Sequence, residues 1–127
     1  LSGLDGGLIY NSWPDMNGNF YPNDTSIKDF LTIKLFYDPS IIQFFHRITA
    51  YILLFFIIFL NYLFFKKQLS LFNIFVFDLA ILLQIFLGII TLVSGVEMKY
   101  ASLHQLGSIF VLSSYLLILY KNFSQQL

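Results

Sequence analysis

Three long apolar runs, each closed by charge or by a polar turn, set the pattern of this chain. The first, Ile41–Phe65 (IIQFFHRITAYILLFFIIFLNYLFF), is nearly unbroken apolar side chain for about 25 residues, enough for a helix to cross a bilayer. Lys66-Lys67 closes it, which sets the first span at 41–66. A short link, QLS, leads to a second span over 71–96, which carries Asp78, Gln84, Gly88 and Thr91. Glu97-Met98-Lys99-Tyr100 reads as a tight polar turn, a third span follows over 101–120, and KNFSQQL (121–127) is the tail.

Residues 1–40 are the polar part. Leu1–Tyr10 is short and Gly-rich and reads as the end of a preceding helix. NSWPDMNGNFYPND then packs Asn, Asp, Gly and Pro at the density of turns. Asp24-Thr25 is expected to cap a short helix whose uneven apolar face (Ile27, Phe30, Leu31, Ile33 to Leu35) lies on the membrane surface. Tyr37-Asp38-Pro39-Ser40 stops it, and Ser40 is the expected N-cap of the first span.

Composition agrees with this pattern. Only 11% of residues are charged, against about 25% in a soluble domain, and the mean hydropathy is +0.75. Formal net charge is zero, which gives no reason to expect a nucleic-acid partner; the partner implied is membrane lipid. There is no cysteine, hence no disulfide, no iron–sulfur ligation and no thiol nucleophile. The chain opens on Leu1 with no basic stretch leading into an apolar run, so it reads as lacking a signal peptide and as a piece whose preceding part is missing. The lysines orient the spans: Lys66, Lys67 and Lys121 share one face, which the positive-inside rule makes cytoplasmic, or matrix-side in a mitochondrion. Residues 1–40 are then outside (periplasmic).

Ionisable groups inside such spans are costly and mark function. His46 and His104 are the only two histidines. Both spans that carry them start at the outer face, and by helical rise the two imidazoles lie within a few Å of the same depth. Each alone reads as an interfacial side chain reaching for headgroups. Two matched in depth read as the axial pair of a haem iron, whereas zinc wants about four ligands and no carboxylate or Cys lies at helical spacing from either. Arg47 either meets a haem propionate or reaches phosphate headgroups. It stands about 100° around the helix from His46, so it would have to reach the haem edge sideways. Gln43 and Gln105 flank the histidines as a second shell or face the interface. Asp78 is expected to bond a helix outside this chain, with proton relay as the other role. Gln84, Gly88 and Thr91 read as a close helix–helix contact.

In order along the chain, GLDGGLIYNSWPDMNG, IQFFHR, QIFLGIITL and LHQLGS resemble the C-terminal half of the haem A synthase family of alphaproteobacteria and mitochondria. Two positions depart from its usual pattern: Gly6 for Ala and Trp13 for Phe. The resemblance implies an all-α membrane enzyme of eight helices in two similar four-helix halves, with this chain supplying three transmembrane helices of the C-terminal bundle. It implies that His46 and His104 hold a haem b as a prosthetic group, while the missing half takes haem O and its C8 methyl is oxidised to a formyl for cytochrome c oxidase. No catalytic residue is assigned within the chain, and the piece alone is expected to be inactive. The implied partners are haem O synthase and cytochrome c oxidase assembly proteins. The expected location is the bacterial inner membrane, with the mitochondrial inner membrane as alternative. From the residues alone, two other readings stay open: a bis-His membrane cytochrome that only carries electrons, and a structural subunit with interfacial histidines. The long outer segment favours an enzyme, since a lid over a porphyrin needs it and an electron carrier does not.

Overall fold

The computed structural model describes residues 5–124, and the expectations for Leu1–Leu4 and for the last three residues lie outside them. The described residues are helical apart from an outer loop segment. Three helices are long and apolar enough to cross a membrane: α1 (Pro39–Lys66), α2 (Leu71–Val93) and α3 (Met98–Ser124).

The helix ends follow from local chemistry. α1 starts two residues before the expected span because Asp38, not Ser40, is its N-cap. The Asp38 carboxylate accepts from the backbone N–H of Ser40 at 3.0 Å and of Ile41 at 3.2 Å, with Pro39 at the first helical position, where its missing N–H costs nothing. Beyond Lys66, the Gln68 N–H bonds Phe65 O at 3.0 Å and the Leu69 N–H bonds Phe64 O at 3.1 Å, with Gln68 in the left-handed region (φ 54°). α2 closes the same way: Gly95 N–H to Leu92 O at 3.1 Å and Val96 N–H to Thr91 O at 2.8 Å, with Gly95 at φ 72°. This reversal satisfies the last free carbonyls and ends the helix three residues short of the expected Val96. α3 continues past Tyr120 because nothing in KNFS breaks a helix.

The outer segment holds two short 3₁₀ turns, Ile27–Leu31 and Ile33–Phe36, in place of one short helix. Ser26, not Asp24, caps the first: its hydroxyl accepts from Lys28 N–H, and Asp29 reaches back to the Ser26 N–H at 2.9 Å. Thr32 ends the first turn and caps the second, which splits the run in two. Ile27, Leu31, Ile33 and Phe36 are all exposed along these turns.

The buried core is small and sits at one end of the bundle. Ile57 and Phe64 of α1, Ile74, Phe77 and Ile81 of α2, and Ile118 of α3 form it, and Phe77 lies between Phe64 (6.2 Å) and Tyr115 (5.8 Å). α2 packs along α3, while α1 meets α2 over a short stretch. Most other apolar side chains point outward, which suits hydrocarbon rather than water. The expected all-helical membrane architecture is thereby met, and the chain is a multi-pass membrane protein.

Candidate functional site

At the end of the bundle away from that core, the N-terminal turns of α1 and α3 bring His46 and His104 together. Their ring centroids are 6.4 Å apart and the ring planes are nearly perpendicular, at 85°. His46 is exposed at the edge of the three-helix unit and makes no hydrogen bond to a described residue. His104 is half-buried and fixed. Its Nδ1 lies 3.1 Å from the backbone carbonyl of Gln84, and the Gln84 Nε2 donates in return to the His104 carbonyl at 3.0 Å. A carbonyl can only accept, so Nδ1 carries the proton and the Nε2 lone pair is left free.

The groups around the pair differ from those the sequence suggested. Gln84 and Gly88 were expected to serve helix contact, and they do. Yet the surface they make is the one His104 rests on, since a Cβ added at Gly88 would stand 2.9 Å from the ring's Cε1. An i, i+4 Gln–Gly pair on one face was the sequence signal for this, but nothing in the spacing named the partner. Thr91 takes no part: its hydroxyl donates to Leu87 O of its own helix at 2.7 Å. Gln105 is exposed. Gln43, buried, donates to the Tyr10 carbonyl at 2.9 Å rather than to a histidine, and its Oε1 has no partner among the described residues.

Arg47 points into the outer segment. It is 9% exposed, so it does not reach for headgroups. Nη1 donates to Asp15 O at 2.6 Å and Nη2 to Tyr10 O at 3.0 Å, and its Nε is buried with no partner among the described residues. The segment it grips is tied down elsewhere too. Tyr10 donates its hydroxyl proton to Asp24 Oδ1 at 2.7 Å and accepts from the Asn23 N–H at 3.0 Å, while Ser40 donates to Asp24 Oδ2 at 2.6 Å. Asn11 donates to Leu92 O at 2.9 Å, at the C-terminal end of α2. Burial pushes the Asp24 carboxyl up, but the bonds from Ser40 and Tyr10 outweigh it and hold the group below the usual carboxylate range. Burial and the Asp24 bond push the Tyr10 hydroxyl up. The loop is thus built onto the same helix ends that carry the histidines.

Asp78 has a partner within the chain. It accepts from Asn61 Nδ2 of α1 at 2.9 Å. Among the described residues no cluster of three or more His, Cys, Asp or Glu could hold a metal ion, so the two imidazoles stand without further protein ligands.

A helical membrane unit with a close pair of imidazoles and a loop tied to its helix ends is the class of protein these features define. The sequence profile of the cytochrome oxidase assembly protein family matches residues 1–116, and the chain belongs to that family. It is 73% identical over 122 residues to a protein named Heme A synthase from Pelagibacter ubique (strain HTCC1062), covering 96% of this chain and 36% of that one. Against the protein of the same name from Rickettsia bellii (strain OSU 85-389) it is 43% identical over 116 residues, covering 89% and 34%. The chain therefore spans about a third of the length of these relatives, and the haem A synthase resemblance read from its motifs is borne out. No solved structure matches it.

Proposed function

We propose that His46 and His104 are the two axial ligands of one haem b iron, and that the chain is the cofactor-holding part of a haem A synthase. The observation that carries this is the 6.4 Å between ring centroids. With a metal–imidazole bond of about 2 Å and a ring nitrogen about 1.2 Å from its centroid, two imidazoles on one iron stand about 6 Å apart. Three further features support the fit. His104 already bonds a carbonyl through Nδ1, the usual arrangement of a metal-bound histidine. The cradle at Gly88 leaves room for the ring where any Cβ would push it aside. Arg47 keeps one buried, unpaired N–H donor, at Nε, for a propionate carboxylate while its terminal nitrogens hold the loop.

When bound, the haem supplies one-electron transfer. The residues of this chain would hold and orient it: His46 and His104 would ligate the iron, Gln84 and Gly88 set the second imidazole, and Arg47 ties the loop of residues 10–24 to the same turn of α1. In the whole protein, the proposed reaction is oxidation of the C8 methyl of haem O to a formyl, giving haem A for cytochrome c oxidase, in the bacterial inner membrane. Proteins that make haem O or assemble the oxidase are the partners this reaction calls for. A plain bis-His electron carrier is the other reading; the long segment gripped by Arg47 and Tyr10 favours the synthase.

The test uses the full-length protein. His46→Ala and His104→Ala are each expected to abolish the low-spin bis-imidazole spectrum of the purified protein and haem A in extracted membranes. A normal spectrum in either variant would overturn the ligand assignment. A normal spectrum in the wild type, without haem A formation from supplied haem O, would leave the electron carrier.

A further inference from the structure

α2 contributes no histidine, yet its backbone is what the His104 ring leans on. An added Cβ at Gly88 would lie 2.9 Å from Cε1, 3.4 Å from Nδ1 and 3.5 Å from Nε2 of His104. The ring could not yield without cost, because Nδ1 is bonded to the Gln84 carbonyl one turn earlier on the same helix. The Gln84 side chain closes the arrangement by bonding the His104 carbonyl, and it is itself wedged against Gly107, where a Cβ would collide with its Oε1. Gln84 and Gly88 on α2 thus interlock with His104 and Gly107 on α3.

We propose that Gly88 and Gln84 are positioning residues that fix both the tautomer and the ring setting of His104, which leaves its Nε2 lone pair free. The proposal deepens the haem assignment and rests on it for its spectroscopic consequence. The tautomer follows from the carbonyl partner, which accepts only from a protonated Nδ1. The ring's setting follows from the in-plane bond to the Gln84 carbonyl together with the close approach at Gly88, where Cε1 is the nearest ring atom. The carbonyl bond also makes the imidazole a stronger donor to iron and favours the ferric state.

The experiment compares wild-type, Gly88→Ala and Thr91→Ala full-length proteins, each purified with bound haem. Gly88→Ala is expected to retain the low-spin optical spectrum while its EPR signal shifts and its midpoint potential changes. Thr91→Ala, one turn further along α2 and bonded only to its own helix, is expected to match wild type in both. Superimposable EPR spectra and equal potentials for wild type and Gly88→Ala would overturn the positioning role while leaving the haem assignment intact. A second measurement covers a Gly88→Ala protein that fails to fold or a wild type without haem. In haem-free wild-type protein with ¹⁵N-labelled histidine, His104 is expected to be the Nδ1–H tautomer. An Nε2–H or averaged His104 signal would overturn the proposal whatever the haem result.

Discussion

Neighbouring residues on α1 do separate jobs, and single substitutions should separate them. Arg47 spends its terminal nitrogens on the Asp15 and Tyr10 carbonyls, and bonds from a charged donor contribute more than neutral ones. Arg47→Ala is expected to destabilise the purified protein by about 2–3 kcal/mol and to speed proteolysis within residues 10–24, with haem content reduced less than in the His46 variant. Unchanged cleavage in that segment would show that Arg47 does not hold it. The Tyr10–Asp24–Ser40 cluster should make the same segment pH-sensitive. Asp24 is held below its ordinary value in the fold, so its contribution is present above the carboxylate range and is lost as pH falls through its lowered folded pKa. Tyr10 is raised, so its contribution is present at neutral pH and is lost as pH rises through its elevated pKa. Hydrogen exchange over residues 10–24 is expected to be slowest between those limits and to accelerate at both ends. A flat profile in a Tyr10→Phe, Asp24→Asn double variant would trace the effect to this pair.

At the scale of elements, caps and crossings decide stability. Asp38→Ala removes the only side-chain cap on α1 and should cost about 0.5–2 kcal/mol, read as a lower Tm, with Asp38→Asn or Asp38→Ser recovering most of it. Gly107→Ala forces the wedged Gln84 side chain to move and is expected to cost about 1–3 kcal/mol, typical of overpacking. The three spans were legible from hydrophobic run length alone, because an apolar stretch that long has few other uses. Their ends were less so. Ser40 and Asp38 both suit an N-cap; the Asp38 bonds to the Ser40 and Ile41 N–H groups, with Pro39 at the first helical position and the Ser40 hydroxyl turned to Asp24, decide between them. Likewise, the early end of α2 is dictated by the Gly95 reversal, while the sequence offered Val96 as the last apolar residue.

Across the whole molecule, the matched depth of two histidines was readable because helical rise converts position into depth. Which groups support them was not. Gln43 and Gln105 lie nearest in sequence, but Gln84 and Gly88, from another helix, lie nearest in space to His104. Side-chain direction around a helix depends on packing, and packing depends on all three helices at once. The core at one end and the histidines at the other also predict an uneven response to haem removal. Exchange is expected to rise in the first turns of α1 and α3 and in residues 10–24, with the region of Phe64, Phe77 and Ile118 unaffected. Equal loosening at both ends would show that the two ends are not independent.

His46 and Arg47 are consecutive, so their side chains leave α1 about 100° apart, one toward the opposing imidazole and one into the loop. Rolling α1 about its long axis would part the two rings or draw Arg47 off the Asp15 and Tyr10 carbonyls, so two adjacent side chains mark the azimuth of this helix.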